Sequence, residues 1–254
     1  MIHLQPQLYD RQVVENTSVF IQCHQGLGDH LICNGIYLNL AMNNSFVLIP
    51  VRKRYESELE KLIKHAPNIK TISYPDFYFT EMTIAHGEIL ANKGFKILKL
   101  GYFNKKYLEL ADRFDESFYV QANLDFRHRW DSFAYSANRA EEEHVFRELV
   151  GNKDSFAFLH DDINRGFQIN ESLVSPDLEI IRPNRRKTSI FDYRLVIERA
   201  TEIHCIESSF SVFIDNLGVS APKKFIHRYA RPEAINDKKH EASYKSNWKI
   251  FSNY

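Results

Sequence analysis

The apolar run Val19–Cys23 (VFIQC) has the length and composition of a buried strand, and the chain is then broken at Gly26 and Gly28. From Asp29 onward Leu31, Ile32, Ile36, Leu38 and Leu40 recur closely enough for a helix packed on a sheet, expected up to about Ala41. The alternation continues. Ser45–Val51 reads as a strand, Tyr55–Ala66 as an amphipathic helix closed by Pro67, and Ile69–Ser73 as a strand. Glu81–Asn92 reads as a helix ended by Gly94, and Phe95–Leu100 as a strand. Residues Tyr102–Asp131 are rich in aromatics, include Arg127, His128, Arg129 and Trp130 in succession, and show no clean period. A helix is expected at Asn138–Val150, with glutamates in its first turns and Gly151 past its end.

A second series follows. Ser155–His160 predicts a strand, Asp161–Gly166 a turn, and Leu178–Arg182 a strand. The basic loop Asn184–Lys187, carrying Arg185 and Arg186, leads to a helix at Phe191–Ala200. Ile203–Ile206, Ser208–Leu217 and Lys224–His227 then read as strand, helix and strand. The polar, aromatic end Lys238–Tyr254 is expected to form a helix lying across both halves. Strands alternating with helices imply parallel sheets. The expected fold is therefore α/β with two Rossmann-like α/β/α units facing across a cleft. The units are placed at residues 1–150 and 151–254, the terminal segment packing back on the first.

Composition narrows the class. A chain of 254 residues with 44% hydrophobic and 26% charged residues suits a soluble globular protein. The 33 basic and 33 acidic residues cancel, which gives no footprint for nucleic acid. No apolar run approaches the roughly 20 residues that span a bilayer, and the start, MIHLQPQLYDRQ, lacks a signal-peptide layout. The three cysteines, Cys23, Cys33 and Cys205, are without CxxC spacing and fit a reducing, cytoplasmic setting. Cys23, His24, His30 and Cys33 are possible zinc ligands, but their spacing is unlike standard sites. Buried cysteines are the expectation, and no metal is assigned.

Two stretches offer chemistry. In the first, a strand, a glycine turn and a helix bring backbone N–H groups and the ionisable Asp29 and His30 to one place. In the second, a strand ends at Glu207, and Ser208 or Ser209 can cap the following helix. Such an end binds phosphate through unpaired N–H groups and the helix dipole; the plainer reading of Ser208 is an N-cap alone. One such site in each half suggests a ligand cleft between them.

The chain resembles the GT-B class of glycosyltransferases, most closely the heptosyltransferase-type branch. Gly26, Gly28, Asp29 and His30 match that branch's glycine-glycine-aspartate turn. Glu207, Ser208, Ser209, Phe210 and the run Leu217, Gly218, Val219 with Pro222 are similar to its second motif. The histidine usual after the small residues is absent, and the chain is short for the class. The resemblance implies transfer of a sugar from a nucleotide-sugar donor to an acceptor hydroxyl in surface polysaccharide, lipopolysaccharide or glycan synthesis. It implies no metal or other cofactor, acceptor on the first unit, donor on the second, and peripheral membrane association as compatible.

Direct displacement needs a base, worth about 10²–10⁴-fold in rate. Asp29 is the expected base by the family pattern, although as the natural N-cap of its helix it is a weakened one. His30 is the alternative, titrating near neutrality. Arg165 and Arg182 are candidates for the diphosphate, with surface salt bridges to Asp161 or Asp162 as the competing reading. His160, at a strand end, is a candidate sugar or phosphate contact. Glu207 and Asp215 lie eight residues apart, near the spacing of retaining GT-B enzymes, but Asp29 favours inversion. The Rossmann third glycine and the Walker lysine are both missing from the turn, which disfavours an oxidoreductase or a P-loop enzyme. A nucleotide-sugar epimerase, a hydrolase or a non-catalytic glycan- or nucleotide-binding protein remain the alternatives.

Overall fold

The structure, a computed structural model, describes residues 17–24, 26–104, 109, 111–183, 188–220, 223–230, 243–245 and 247–252. The basic run Arg185, Arg186 and Lys187, and Pro222, lie outside them.

In the first half the chain alternates as expected. The order is β1 (Ser18–Gln22), α1 (Leu27–Asn43), β2 (Phe46–Arg52), α2 (Glu56–Ile63), β3 (Ile69–Tyr74), α3 (Phe79–Ala91) and β4 (Lys96–Lys99). Every strand pair is parallel and the sheet runs β3-β2-β1-β4. The aromatic segment that lacked a period folds as α4 (Phe114–Gln121) and the single turn α5 (His128–Asp131). Helix α6 (Arg139–Leu149) follows, where the Asn138 side chain accepts from the Glu141 N–H.

The second half holds β5 (Phe156–His160), β6 (Glu179–Ile181), α7 (Arg194–Arg199), β7 (Glu202–Cys205), α8 (Ser209–Leu217), β8 (Lys223–His227) and β9 (Trp248–Phe251). Its sheet is again all parallel, in the order β6-β5-β7-β8-β9. The terminal segment departs from expectation. Where a helix was predicted, Trp248–Phe251 adds an edge strand to β8, as suits an alternating Trp-Lys-Ile-Phe run of β-forming residues. Just before it, residues 243–245 do reach the first half. The Ser243 N–H donates to Asp115 Oδ2 (2.7 Å) and Lys245 Nζ to Asp131 (3.1 Å).

Helix α1 is the central element. From His30 to Tyr37 every residue is buried, because the helix packs on its own sheet on one side and on α8 and α5 on the other. Asn216 of α8 donates to the Leu31 carbonyl at 3.1 Å, tying the helices together. Beneath them Arg129 is fully buried against Asp115, and Asp215 accepts from Trp130 Nε1 (2.7 Å) and Trp248 Nε1 (3.1 Å). Removing one partner of a buried ion pair typically costs about 3–5 kcal/mol. This polar seam therefore fixes how the halves meet, and one apolar core runs through both.

Candidate functional site

In an open parallel sheet, neighbouring strands whose connections leave in opposite directions open a crevice at their C-terminal ends. The second sheet does this between β5 and β7, and in the first sheet β1 lies beside β4. The loops after these four strands carry most of the residues singled out from sequence.

At the first crevice Gly26 takes the N-cap position in extended conformation, and the helix starts at Leu27. Asp29 is thus at N3 rather than at the N-cap, where its Oδ2 accepts the Gly26 N–H at 3.0 Å. Its Oδ1 lies 3.8 Å from Nδ1 of His24, and both side chains are about four-fifths buried, at 22% and 17% exposed. The imidazole of His24 packs between Tyr102 (centroids 4.4 Å apart) and Phe118 (5.1 Å), and its Nε2 accepts the Tyr102 N–H at 2.8 Å.

His30 does not face this crevice. It is fully buried on α1, with Nδ1 2.9 Å from the Tyr37 hydroxyl and Nε2 without a hydrogen-bond partner among the described residues. Burial pushes its imidazole down to about 4. The neutral titration that recommended it as a base is therefore lost, and Asp29 alone of the two remains at the surface of the cleft. All three cysteines are buried, and burial drives the Cys23 thiol up to about 12. No metal-binding group of His, Cys, Asp or Glu occurs among the described residues.

At the second crevice Ser208 is the N-cap of α8, and its N–H donates to Ser211 Oγ at 3.0 Å. Its hydroxyl lies 3.1 Å from Nδ1 of His160, whose ring packs at a tilt against Phe210, centroids 4.4 Å apart. The N–H groups of Ser209 and Phe210 fall in the first helical turn, where an α-helix supplies no carbonyl for them. Glu207 is buried and accepts from Arg228 Nε (3.3 Å) and Nη2 (3.2 Å). Arg228 follows β8 and escaped the sequence reading, because nothing in the pattern ties the residue after that strand to the acid after β7. His24 was noticed only as a metal candidate. Its place just past the first strand, beside a glycine turn, was the available signal.

The two crevices are brought together. A Cβ placed on Gly28 would lie 3.7 Å from Ser209 Cα and 3.8 Å from Ser209 N, so the N-terminal ends of α1 and α8 touch through backbone alone. Gly26, Gly28, Asp29, Glu207, Ser208, Ser209, Phe210 and His160 thus share one neighbourhood.

The two arginines assigned to a diphosphate are otherwise engaged. Arg165 is exposed and donates to Asp162 at 2.6 Å, while Arg182 donates to Glu171 at 2.7 Å and sits 3.6 Å from Asp161. These are the carboxylate pairings weighed against a phosphate role, and they neutralise both cations. Asp215, the second acid of the eight-residue pair with Glu207, is buried and accepts from two tryptophans, so it does not join Glu207 at the crevice. A concavity of about 390 Å³ is lined by α6 and α7 residues only. Its Arg194 is matched by Glu142 and Glu198, so charge there is compensated.

No family model and no curated protein matches the chain. Among solved structures it is similar to the glycosyl transferase family 9 protein from Veillonella parvula DSM 2008, at 8% identity and a TM-score of 0.51. That likeness covers 85% of this chain and 81% of the other. The fold is accordingly the two-sheet, Rossmann-like GT-B arrangement. No helix among the described residues is long and apolar enough to cross a membrane.

Proposed function

We propose that this chain is a glycosyltransferase that moves a sugar from a nucleotide-sugar donor to an acceptor hydroxyl. The observation that carries the reading is the meeting of the α1 and α8 N-termini at Gly28 and Ser209. Two like-signed helix ends side by side favour an anion near them, worth about 0.3–1 kcal/mol each at the surface and more when partly buried. The α1 end already holds the carboxylate of Asp29. The α8 end has only hydroxyls, so a diphosphate belongs there, on the amides of Ser209 and Phe210. His160 and Ser208 then face the donor, and Arg228 offsets the charge of Glu207 beside them.

In this reading the second unit, residues 151–254, holds the donor and the first, residues 1–150, the acceptor. Asp29 takes the acceptor proton as the hydroxyl oxygen attacks the anomeric carbon and the nucleoside diphosphate leaves with the electron pair of the broken bond. One direct displacement inverts the anomer. The helix ends stabilise the leaving group, and no metal is required. A fold alone never establishes an activity. The proposal rests on the arrangement of these groups; a cytoplasmic location and a setting in surface glycan synthesis are the further parts of the same reading.

Thermal shift against UDP, GDP, ADP and CMP, and against their sugar conjugates, tests it. A ligand at 100 times its dissociation constant adds about 2.7 kcal/mol to the folded state. Stabilisation by one base series, with release of that nucleotide from its sugar conjugate in the presence of acceptor glycans, is the expected result. Binding without release over a broad acceptor panel favours a non-catalytic binding protein. No binding at all rejects the reading.

A further inference from the structure

The slot that holds His24 is built in detail at the first crevice. Tyr102 and Phe118 grip the imidazole, and Gly101 beneath it has φ +61°. A Cβ on Gly101 would come within 2.2 Å of His24 Nε2, so the ring occupies space that a side chain there would fill. The tautomer follows from one contact. The backbone N–H of Tyr102 points at Nε2 from 2.8 Å and can only donate, so Nε2 presents its lone pair and the ring proton is on Nδ1. That N–H faces Asp29 Oδ1 at 3.8 Å, while Gly26 N–H holds Oδ2.

We propose that His24 is a positioning residue that orients the Asp29 carboxylate through its Nδ1–H. The inference rests on the reading of Asp29 as the base. At 3.8 Å the pair is an electrostatic contact, and a shift of about 1 Å closes it to a hydrogen bond. Such contacts tighten when substrate fills a site. With a donor on each oxygen, the carboxylate plane is fixed relative to an incoming acceptor hydroxyl. The neutral imidazole performs this without supplying or removing a proton. The strand order explains the placement: β1 and β4 are parallel neighbours, so a side chain just after β1 meets the backbone just after β4.

The first measurement needs no activity. In protein labelled with ¹⁵N-histidine, the expected one- and two-bond correlations put the His24 proton on Nδ1; a proton on Nε2 overturns the proposal. Next, the carboxyl carbon of Asp29 is followed against pH in wild type, His24→Phe and His24→Asn. Phenylalanine keeps the packing and lacks the donor, whereas the asparagine amide can replace the Nδ1–H. A donor to the ionised form favours that form, so His24→Phe should raise the titration midpoint by about half a unit to one unit and His24→Asn should restore it. An unmoved midpoint in folded His24→Phe overturns the proposal.

Turnover supplies the last arm. His24→Phe should lower kcat about 10- to 100-fold with the donor KM unchanged, and His24→Asn should recover most of it. An equal loss in both variants assigns His24 to packing. If wild type transfers no sugar, the base reading fails, while the tautomer and titration results still decide whether His24 holds Asp29.

Discussion

The two crevices solve one backbone problem in the same way and end with opposite charge. In each, a residue in extended conformation caps a helix, Gly26 in the first half and Ser208 in the second. In each, the side chain three residues on accepts the cap N–H, Asp29 at 3.0 Å and Ser211 at 3.0 Å. Each also has a histidine at or just past the end of the first strand of its sheet, packed on an aromatic ring. The difference is one residue type at the third helical position. Asp29 supplies the first helix end with its own anion, whereas Ser211 leaves the second end electropositive. The acid nearest that second end, Glu207, is cancelled by Arg228. Under the proposed function, this matched pair of turns divides into a proton-accepting side and an anion-accepting side.

The largest effect is expected where that division is erased. Asp29→Asn keeps an acceptor oxygen for Gly26 and removes the base, so turnover should fall about 10²–10⁴-fold while nucleoside diphosphate affinity, read by calorimetry, stays the same. Near-normal turnover would take Asp29 out of the mechanism.

Acid should next separate folded from unfolded chain. Each half buries a histidine whose imidazole is held neutral. His30 is down to about 4 through burial, and His227 to about 3 through burial and the neighbouring His204. His204 is lowered too, despite Glu202 beside it, and the cluster also holds Lys223 and the Tyr229 hydroxyl. An unfolded histidine binds its proton near 6.5, so below that pH the unfolded state takes up protons that the native state refuses. Stability is therefore full above about 6.5 and falls as pH drops towards 4, by about 3 kcal/mol for His30 alone. Urea melts at pH 7, 6, 5 and 4 measure this slope, which His30→Gln and His227→Gln should each make shallower. A slope unchanged in both variants assigns acid sensitivity to other groups.

Glycines sharpen the contrast between a built slot and an open turn. Gly101 and Gly166 both have positive φ, +61° and +79°, but a Cβ meets His24 and Phe118 at Gly101 and nothing within 4 Å at Gly166. Gly101→Ala should cost about 2–3 kcal/mol, conformational strain plus overpacking, and Gly166→Ala only about 1. Equal losses would mean that the His24 slot yields freely.

Much of this fold was legible because parallel strands buried on both faces announce themselves as apolar runs, and glycines and prolines punctuate them. Element ends moved by a residue or two, and one such shift mattered. Starting α1 at Leu27 turns Asp29 from a cap into the third helical residue, which no period reveals. His30 was misjudged for a related reason: a helix buried all round gives sequence no polar face from which to infer exposure. For Arg165 and Arg182 the sequence offered both a phosphate and the Asp161 and Asp162 carboxylates, and the turn geometry that brings those carboxylates, and Glu171, to them is not written in a pattern. Arg228 was missed, and His24 read only as a metal candidate, because Glu207 and Tyr102, which they meet, follow neighbouring strands distant in sequence. The last strand was mistaken for a helix since Trp248–Phe251 is too short to show a period against its polar surroundings.

The smallest effect asked of the comparison is also the one with two signs. Ser209 opens α8 beside Gly28 and is partly exposed. Ser209→Asp would give the second helix end the anion that Asp29 gives the first. A carboxylate in the first turn complements the dipole and should stabilise the apoprotein by about 0.3–1 kcal/mol, read as a small rise in Tm. The same charge repels a diphosphate from the amides of Ser209 and Phe210. Affinity for the nucleoside diphosphate should then fall about tenfold, or 1.4 kcal/mol, and less so at high salt. A gain in both stability and affinity would place the phosphates elsewhere. A gain in stability with loss of affinity means that α8 is left without an anion of its own so that the donor can bring one.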